Sequence, residues 1–108
     1  MAYLRRWGYA IEATNVNFPV GELDIVALEG NTLCFVEVRT AASGRFGSAL
    51  ESITTHKRQH LIRAAQWYLQ RRPVRWAGGV RFDVVAIDVR KGRLTPQLIR
   101  GAFEVEPS

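Results

Sequence analysis

The chain has 108 residues, 47% of them hydrophobic and 23% charged, one cysteine, and a net charge of +5 from 15 Lys+Arg against 10 Asp+Glu. Those figures describe one soluble globular domain, 1–108, and exclude an internal disulfide and a multi-cysteine metal site. No apolar run approaches the roughly 20 residues of a membrane span and no secretory signal opens the chain, so a cytoplasmic protein without a membrane partner is expected.

Ala2 to Trp7 reads as the last turns of a short helix, with Arg5 and Arg6 near its C-terminal end and Gly8 as its stop. Tyr9 to Thr14 is a candidate first strand, and Asn15 to Pro19 a polar turn after it. Gly21 to Thr40 then reads as two strands joined by a tight turn at Gly30-Asn31. With those two residues as the turn, Asp24 lies opposite Glu37 and Glu22 opposite Arg39.

Alternation along the strands sorts this hairpin into two faces. One carries Leu23, Ile25, Ala27, Cys34, Val36 and Val38. The other carries Val26, Leu28, Leu33 and Phe35 near the turn, and Glu22, Asp24, Glu37 and Arg39 at the far end. A hairpin apolar on both faces belongs inside a covered sheet. Three carboxylates and one guanidinium therefore gather at the edge of a buried surface. An ordinary cross-strand Glu22–Arg39 pair would be worth roughly 0.2–1 kcal/mol, but like charges directly opposite each other destabilise. A divalent cation would relieve Asp24 against Glu37, and Mg²⁺ takes sites of one or two carboxylates completed by water and substrate phosphate.

Ala41 to Ser48 is a glycine- and serine-containing loop that starts beside the acidic cluster; either its Arg45 and Phe46 touch a phosphate and a base or sugar, or it is a mobile loop that Phe46 anchors to the core. The principal helix runs from Ser52 or Thr54 to Arg72, capped by Thr54 or Thr55. Leu61, Ala65, Tyr68 and Leu69 form its apolar stripe, widened by Ile62 and Trp67. Lys57 and Arg58 stand in its first turn, where backbone donors and cations together suit a phosphate. His56 and His60 have metal-pair spacing, but without the acid of an HExxH pattern they read as surface histidines. Pro73 closes the helix, and Trp76 to Gly79 connects it to the next strand.

Val80 to Val89 is a nearly continuous apolar strand, as expected of a central position. A helix between strands implies a crossover and parallel pairing with the hairpin. Asp83 and Asp88 fall on opposite faces and are expected to pair with arginines rather than form one site. Leu94 to Arg100 is a short last strand, placed at a sheet edge by Pro96, and the tail beyond docks Phe103 and otherwise frays. The fold class is thus α/β, a central mixed sheet of three antiparallel strands, a crossover helix, a parallel strand and a short edge strand, flanked by helices.

Charge adds a second signal. Setting aside Glu22, Asp24, Glu37 and Arg39 leaves 14 basic residues against 7 acidic ones, so an acidic pocket sits in an otherwise basic protein. A basic surface attracts nucleic acid, and an acidic centre suits metal-dependent chemistry on a phosphodiester.

Gly8-Tyr9, Gly21-Glu-Leu-Asp24, Phe35-Val-Glu-Val-Arg-Thr40, Ser43-Gly-Arg-Phe-Gly47 and Arg81-Phe-Asp-Val-Val85, in this order, resemble the bacterial YraN family. That family lies within the PD-(D/E)xK nuclease superfamily, which has the restriction-endonuclease-like fold, and is similar in fold to archaeal Holliday-junction resolvases. The resemblance implies that Asp24 and Glu37 bind Mg²⁺ or Mn²⁺, with the carbonyl of Val38 completing the site and Glu22 as an acidic neighbour acting through water or orienting a ligand. Arg39 occupies the place of the motif's lysine. An arginine stays charged, so its implied role is to steady charge on the phosphate rather than to act as a base. The expectation is a metal-dependent, endonuclease-like protein acting on DNA, including branched forms, with Arg45, Lys57 and Arg58 on the backbone. A homodimer would suit a two-fold junction. The rival reading is a non-catalytic nucleic-acid-binding module on a retained nuclease fold.

Overall fold

The computed structural model describes residues 2–41, 45, 47–71, 79–90 and 92–103. The elements in order are α1 (Ala2–Arg6), β1 (Tyr9–Phe18), β2 (Gly21–Glu29), β3 (Thr32–Ala41), α2 (Gly47–Glu51), α3 (Thr55–Arg71), β4 (Val80–Arg90) and β5 (Arg93–Phe103). Phe46, Arg72, Pro73, the connection from Trp76 and the tail after Phe103 lie outside the described residues, so the expectations placed on them stand untouched. Among the described residues no helix is long and apolar enough to cross a membrane.

The five strands form one mixed sheet in the order β1-β2-β3-β4-β5. β1, β2 and β3 are antiparallel neighbours, β4 pairs parallel with β3 after the α3 crossover, and β5 returns antiparallel along the far edge. This is the expected α/β arrangement, with local corrections. β1 runs on to Phe18 instead of ending at Thr14: after a register shift between Ile11 and Ala13 its pairing with β2 holds one register from Ala13 to Phe18, through Asn15, whose φ is 51°. Asparagine tolerates that left-handed conformation better than most residues. β5 spans 11 residues and is not short. Its Pro96 opposite Ile87 removes a donor that an edge strand does not need on its outer side. α2 was also unforeseen; Ala49 packs it against Ala41 and Ala86.

The sheet is covered on both faces. On one, α3 lays Leu61, Ala64, Ala65 and Tyr68 against Val26, Leu33, Phe35, Phe82 and Val84, and Phe103 docks by stacking on Phe82 at 4.7 Å. On the other, Leu4 of α1 packs with Tyr9, Ile25, Ala27, Cys34, Val36 and Val85. The helix stripe is the expected one, and Trp67 is half-buried against Phe18 at 5.8 Å. Thr54 caps α3 by accepting from Lys57 N at 3.3 Å. Leu23 differs from expectation: it joins the α3 side while Ile25 joins the opposite one, so alternation breaks at Asp24.

A buried polar network holds the α1 side. Asp83, fully buried, accepts from Tyr9 Oη at 2.6 Å, from Arg81 Nε and Nη2 at 2.7 and 2.9 Å, and from Gly101 N at 2.9 Å. Arg81 continues to Glu29 at 2.7 Å, and Arg100 closes on Glu29 from the edge strand. The expected pairing of Asp83 with an arginine is therefore present. Hydrogen bonds from Arg100 hold the Glu29 carboxyl below its ordinary range, and burial pushes the Cys34 thiol up to about 12.

Candidate functional site

The site begins where one strand pair comes apart. β2 and β3 pair from Glu29↔Thr32 to Ile25↔Val36, the register expected from the Gly30-Asn31 turn. Beyond that point β2 stays on β1 as far as Gly21↔Phe18, and β3 stays on β4 as far as Ala41↔Asp88. The middle of the sheet therefore opens while both halves remain paired. A parted ladder leaves backbone N–H groups without strand partners, and buried ones must be satisfied in another way.

Two carboxylates do this reciprocally. Asp24 N donates to Glu37 Oε2 at 3.1 Å, and Val38 N donates to Asp24 Oδ2 at 3.0 Å. Side chain takes the place of ladder on each strand, which brings Asp24 and Glu37 together as the sequence predicts, though through these bridges and not as a backbone pair. Glu22 and Arg39 do not pair across the cleft. Arg39 Nη2 lies 3.6 Å from Glu37 Oε1 instead, on its own strand, and Arg39 Nε is buried without a hydrogen-bond partner among the described residues.

Glu37 is only 3% exposed, and its carboxyl is pushed up to about 7, first by burial and then by the charge of Asp24. Both effects disfavour a second negative charge here. Each carboxylate commits one oxygen to a backbone donor, and the pair presents hard oxygen ligands beside Val38, whose N–H holds Asp24. That donor chemistry fits Mg²⁺ or Mn²⁺, which are held by few carboxylates with water and substrate phosphate completing the shell. Among the described residues no three His, Cys, Asp or Glu side chains converge as a metal cluster, so protein side chains alone would not complete a shell.

Helix α3 roofs the cleft. Glu22, Asp24, Glu37, Arg39, Lys57, His60 and Leu61 line a cavity of about 310 Å³, and Asp24 also borders a second one with Thr14, Asn15, Ile25 and Val38. Of the three expected phosphate-binding cations, only Lys57 lines the first cavity among the described residues. Arg58 turns to Ile53 O at 3.3 Å and lies over the Phe103 ring, and Arg45 faces Glu51 at 4.0 Å with both side chains exposed. His60 was read as a surface histidine; it is half-buried and lines the cavity, with Nδ1 2.9 Å from Val20 O. The signal available for it was its helical spacing: one turn from Lys57 and adjacent to the buried Leu61, it had to face the sheet rim.

The sequence profile described as "Uncharacterised protein family UPF0102" matches residues 1–87. A UPF0102 protein of Pseudomonas aeruginosa (strain LESB58) is 46% identical over 106 residues, covering 95% of this chain and 84% of that protein. Relatives from Pseudomonas fluorescens (strain Pf0-1), 47% identical over 96% of this chain and 85% of theirs, and from Caldicellulosiruptor saccharolyticus, 42% identical over 94% and 86%, carry the same description.

Proposed function

This chain belongs to the uncharacterised UPF0102 (YraN) family, and from its own geometry we propose that it is a metal-dependent, endonuclease-like protein acting on DNA phosphodiesters, branched DNA included. The observation that carries the reading is the parted β2–β3 pair, where two carboxylates are braced side by side, each by a backbone N–H of the opposite strand, beneath a basic helix. A site held by strand backbone on both sides is rigid, which is what positioning a reacting phosphate requires.

Asp24 and Glu37, with the Val38 carbonyl, would hold Mg²⁺ or Mn²⁺. Such an ion, when bound, supplies Lewis-acid polarisation of the phosphate and a lowered pKa for water. Arg39 keeps its charge at every accessible pH, and its buried, unmet Nε donor is available to a phosphate oxygen on which charge develops. Lys57, at the rim of the same cavity, would hold the neighbouring phosphate, with Arg45 and Arg58 further along the backbone. Glu22, exposed at the strand end, would orient a ligand through water.

The test is cleavage of linear and branched DNA with Mg²⁺ or Mn²⁺ by the wild type and by Asp24→Ala. Cleavage should be abolished in the variant while DNA binding is kept or tightened, because a negative charge has left a basic surface. Undiminished cleavage by Asp24→Ala would sink the assignment.

One observation favours a second reading. Arg39 cannot take a proton from water, and burial with the charge of Asp24 pushes the Glu37 carboxyl up to about 7, which weakens it as an anionic ligand. A non-catalytic nucleic-acid-binding module predicts steeply salt-dependent DNA binding with no turnover in either protein.

A further inference from the structure

At the start of α3, one turn apart, His56 and His60 bring their Nε2 atoms to 3.0 Å from each other, with the rings edge to face and their centroids 4.5 Å apart. The other nitrogen of His60, Nδ1, lies 2.9 Å from the carbonyl oxygen of Val20, in the turn between β1 and β2. A carbonyl only accepts, so Nδ1 carries the proton and the Nε2 lone pair of the neutral His60 ring accepts the hydrogen bond that His56 Nε2 donates. A ring nitrogen anchored on a backbone carbonyl, with the opposite nitrogen left as a donor, is the support that metal-bound histidines receive in proteins.

From this geometry we propose that His56 and His60 form a second cation site, for a late first-row divalent ion such as Cu²⁺ or Ni²⁺. It is chemically distinct from the oxygen-donor site of Asp24 and Glu37. The separation bears on the choice of ion. With metal–nitrogen bonds of about 2.0–2.1 Å, donors 3.0 Å apart subtend roughly 90–100° at the metal. That is the angle between neighbouring ligands of a square-planar or tetragonal ion, whereas tetrahedral Zn²⁺ would need the rings to move apart. Two imidazoles also match the ligand preference of Cu²⁺ and Ni²⁺ and not that of Mg²⁺, which takes oxygen. An ion entering here replaces the His56–His60 hydrogen bond, and the exposed His56 ring moves its proton from Nε2 to Nδ1, while His60 stays fixed by Val20 and neither ring changes its helical position. Because His60 also lines the cavity with Glu22, Asp24, Glu37, Arg39 and Lys57, an ion held there would stand at the rim of the candidate DNA site.

The experiment titrates untagged protein with Cu²⁺, Ni²⁺ and Mg²⁺ by calorimetry, following d–d absorption and the paramagnetic broadening of histidine ring protons. Wild type, His56→Ala, His60→Ala and Asp24→Asn are compared. One Cu²⁺ or Ni²⁺ should bind per chain, broadening both histidines. Affinity should drop by about tenfold or more on losing one imidazole, and should be unchanged in Asp24→Asn and in excess Mg²⁺. His56→Ala is the decisive variant, since His56 is exposed while His60 also ties down the Val20 turn. Wild-type affinity in His56→Ala, loss of binding in Asp24→Asn, or no binding at millimolar ion would each overturn the proposal. None of these outcomes depends on whether the protein cuts DNA.

Discussion

Two clusters of strand-borne acids sit on one sheet and are built on opposite principles. Around Asp83, each carboxylate meets a guanidinium: Arg81 spans Asp83 and Glu29, Arg100 closes on Glu29, and Tyr9 and Gly101 supply further donors. Around Asp24, two acids face each other with one arginine 3.6 Å from Glu37, and backbone donors carry the remaining load. The first cluster has its charges matched inside the protein and reads as structural. The second keeps like charges together, retains an unmet Arg39 donor, and opens on a cavity. A folded chain tolerates such a mismatch where a ligand can resolve it.

The largest expected effect tests the matched cluster. Asp83→Ala takes the buried acceptor from Tyr9 Oη and Gly101 N and leaves Arg81 with Glu29 as its remaining acid, and removing one side of a buried pair costs about 3–5 kcal/mol. Urea denaturation measures it, and a loss below about 1 kcal/mol would show that the network is dispensable and the contrast mistaken.

The next effect has the opposite sign. The folded-state pKa of Glu37 is raised to about 7 from an ordinary 4.5, so between those values the native state binds more protons than the unfolded one. Stability therefore falls as pH rises through that window, and the penalty is fully present above about pH 7. Glu37→Gln, without metal, should stabilise by about 1–3 kcal/mol above pH 7 and flatten the dependence between about pH 4.5 and 7. Denaturation curves at a series of pH values check this; an unchanged slope in the variant would assign the mismatch to another group. The smallest effect sharpens the boundary of the matched cluster. Arg100 is 40% exposed, so Arg100→Ala should cost less than about 1 kcal/mol in the same assay.

Much of this was legible in the residues. Gly30-Asn31 sets the hairpin register as far as Ile25↔Val36, because a two-residue turn leaves no freedom in the pairs next to it. The apolar run of β4 and the intervening helix imply the parallel crossover, and the proximity of Asp24 to Glu37 follows from the same turn. The length of β1 was not legible, since the polar stretch after Thr14 is strand only through its pairing with Gly21 to Leu23 of β2. Nor was α2, a single turn held by the burial of Ala49. The facing of Leu23 escaped because alternation presumes an unbroken ladder, and the ladder ends at Ile25↔Val36, three pairs short of Glu22 opposite Arg39.

By itself, then, the sequence determined the order and type of the main elements, the hairpin register and the identity of the acidic pair, because turn chemistry and side-chain periodicity act over a few residues. Only the tertiary structure decided that β2 and β3 part while their outer neighbours hold on, that Arg39 turns to Glu37 and not to Glu22, and that α3 carries Lys57 and His60 over the opening. Those outcomes depend on packing between elements distant in the chain, where buried area and the demand of each backbone donor for a partner outweigh any local preference.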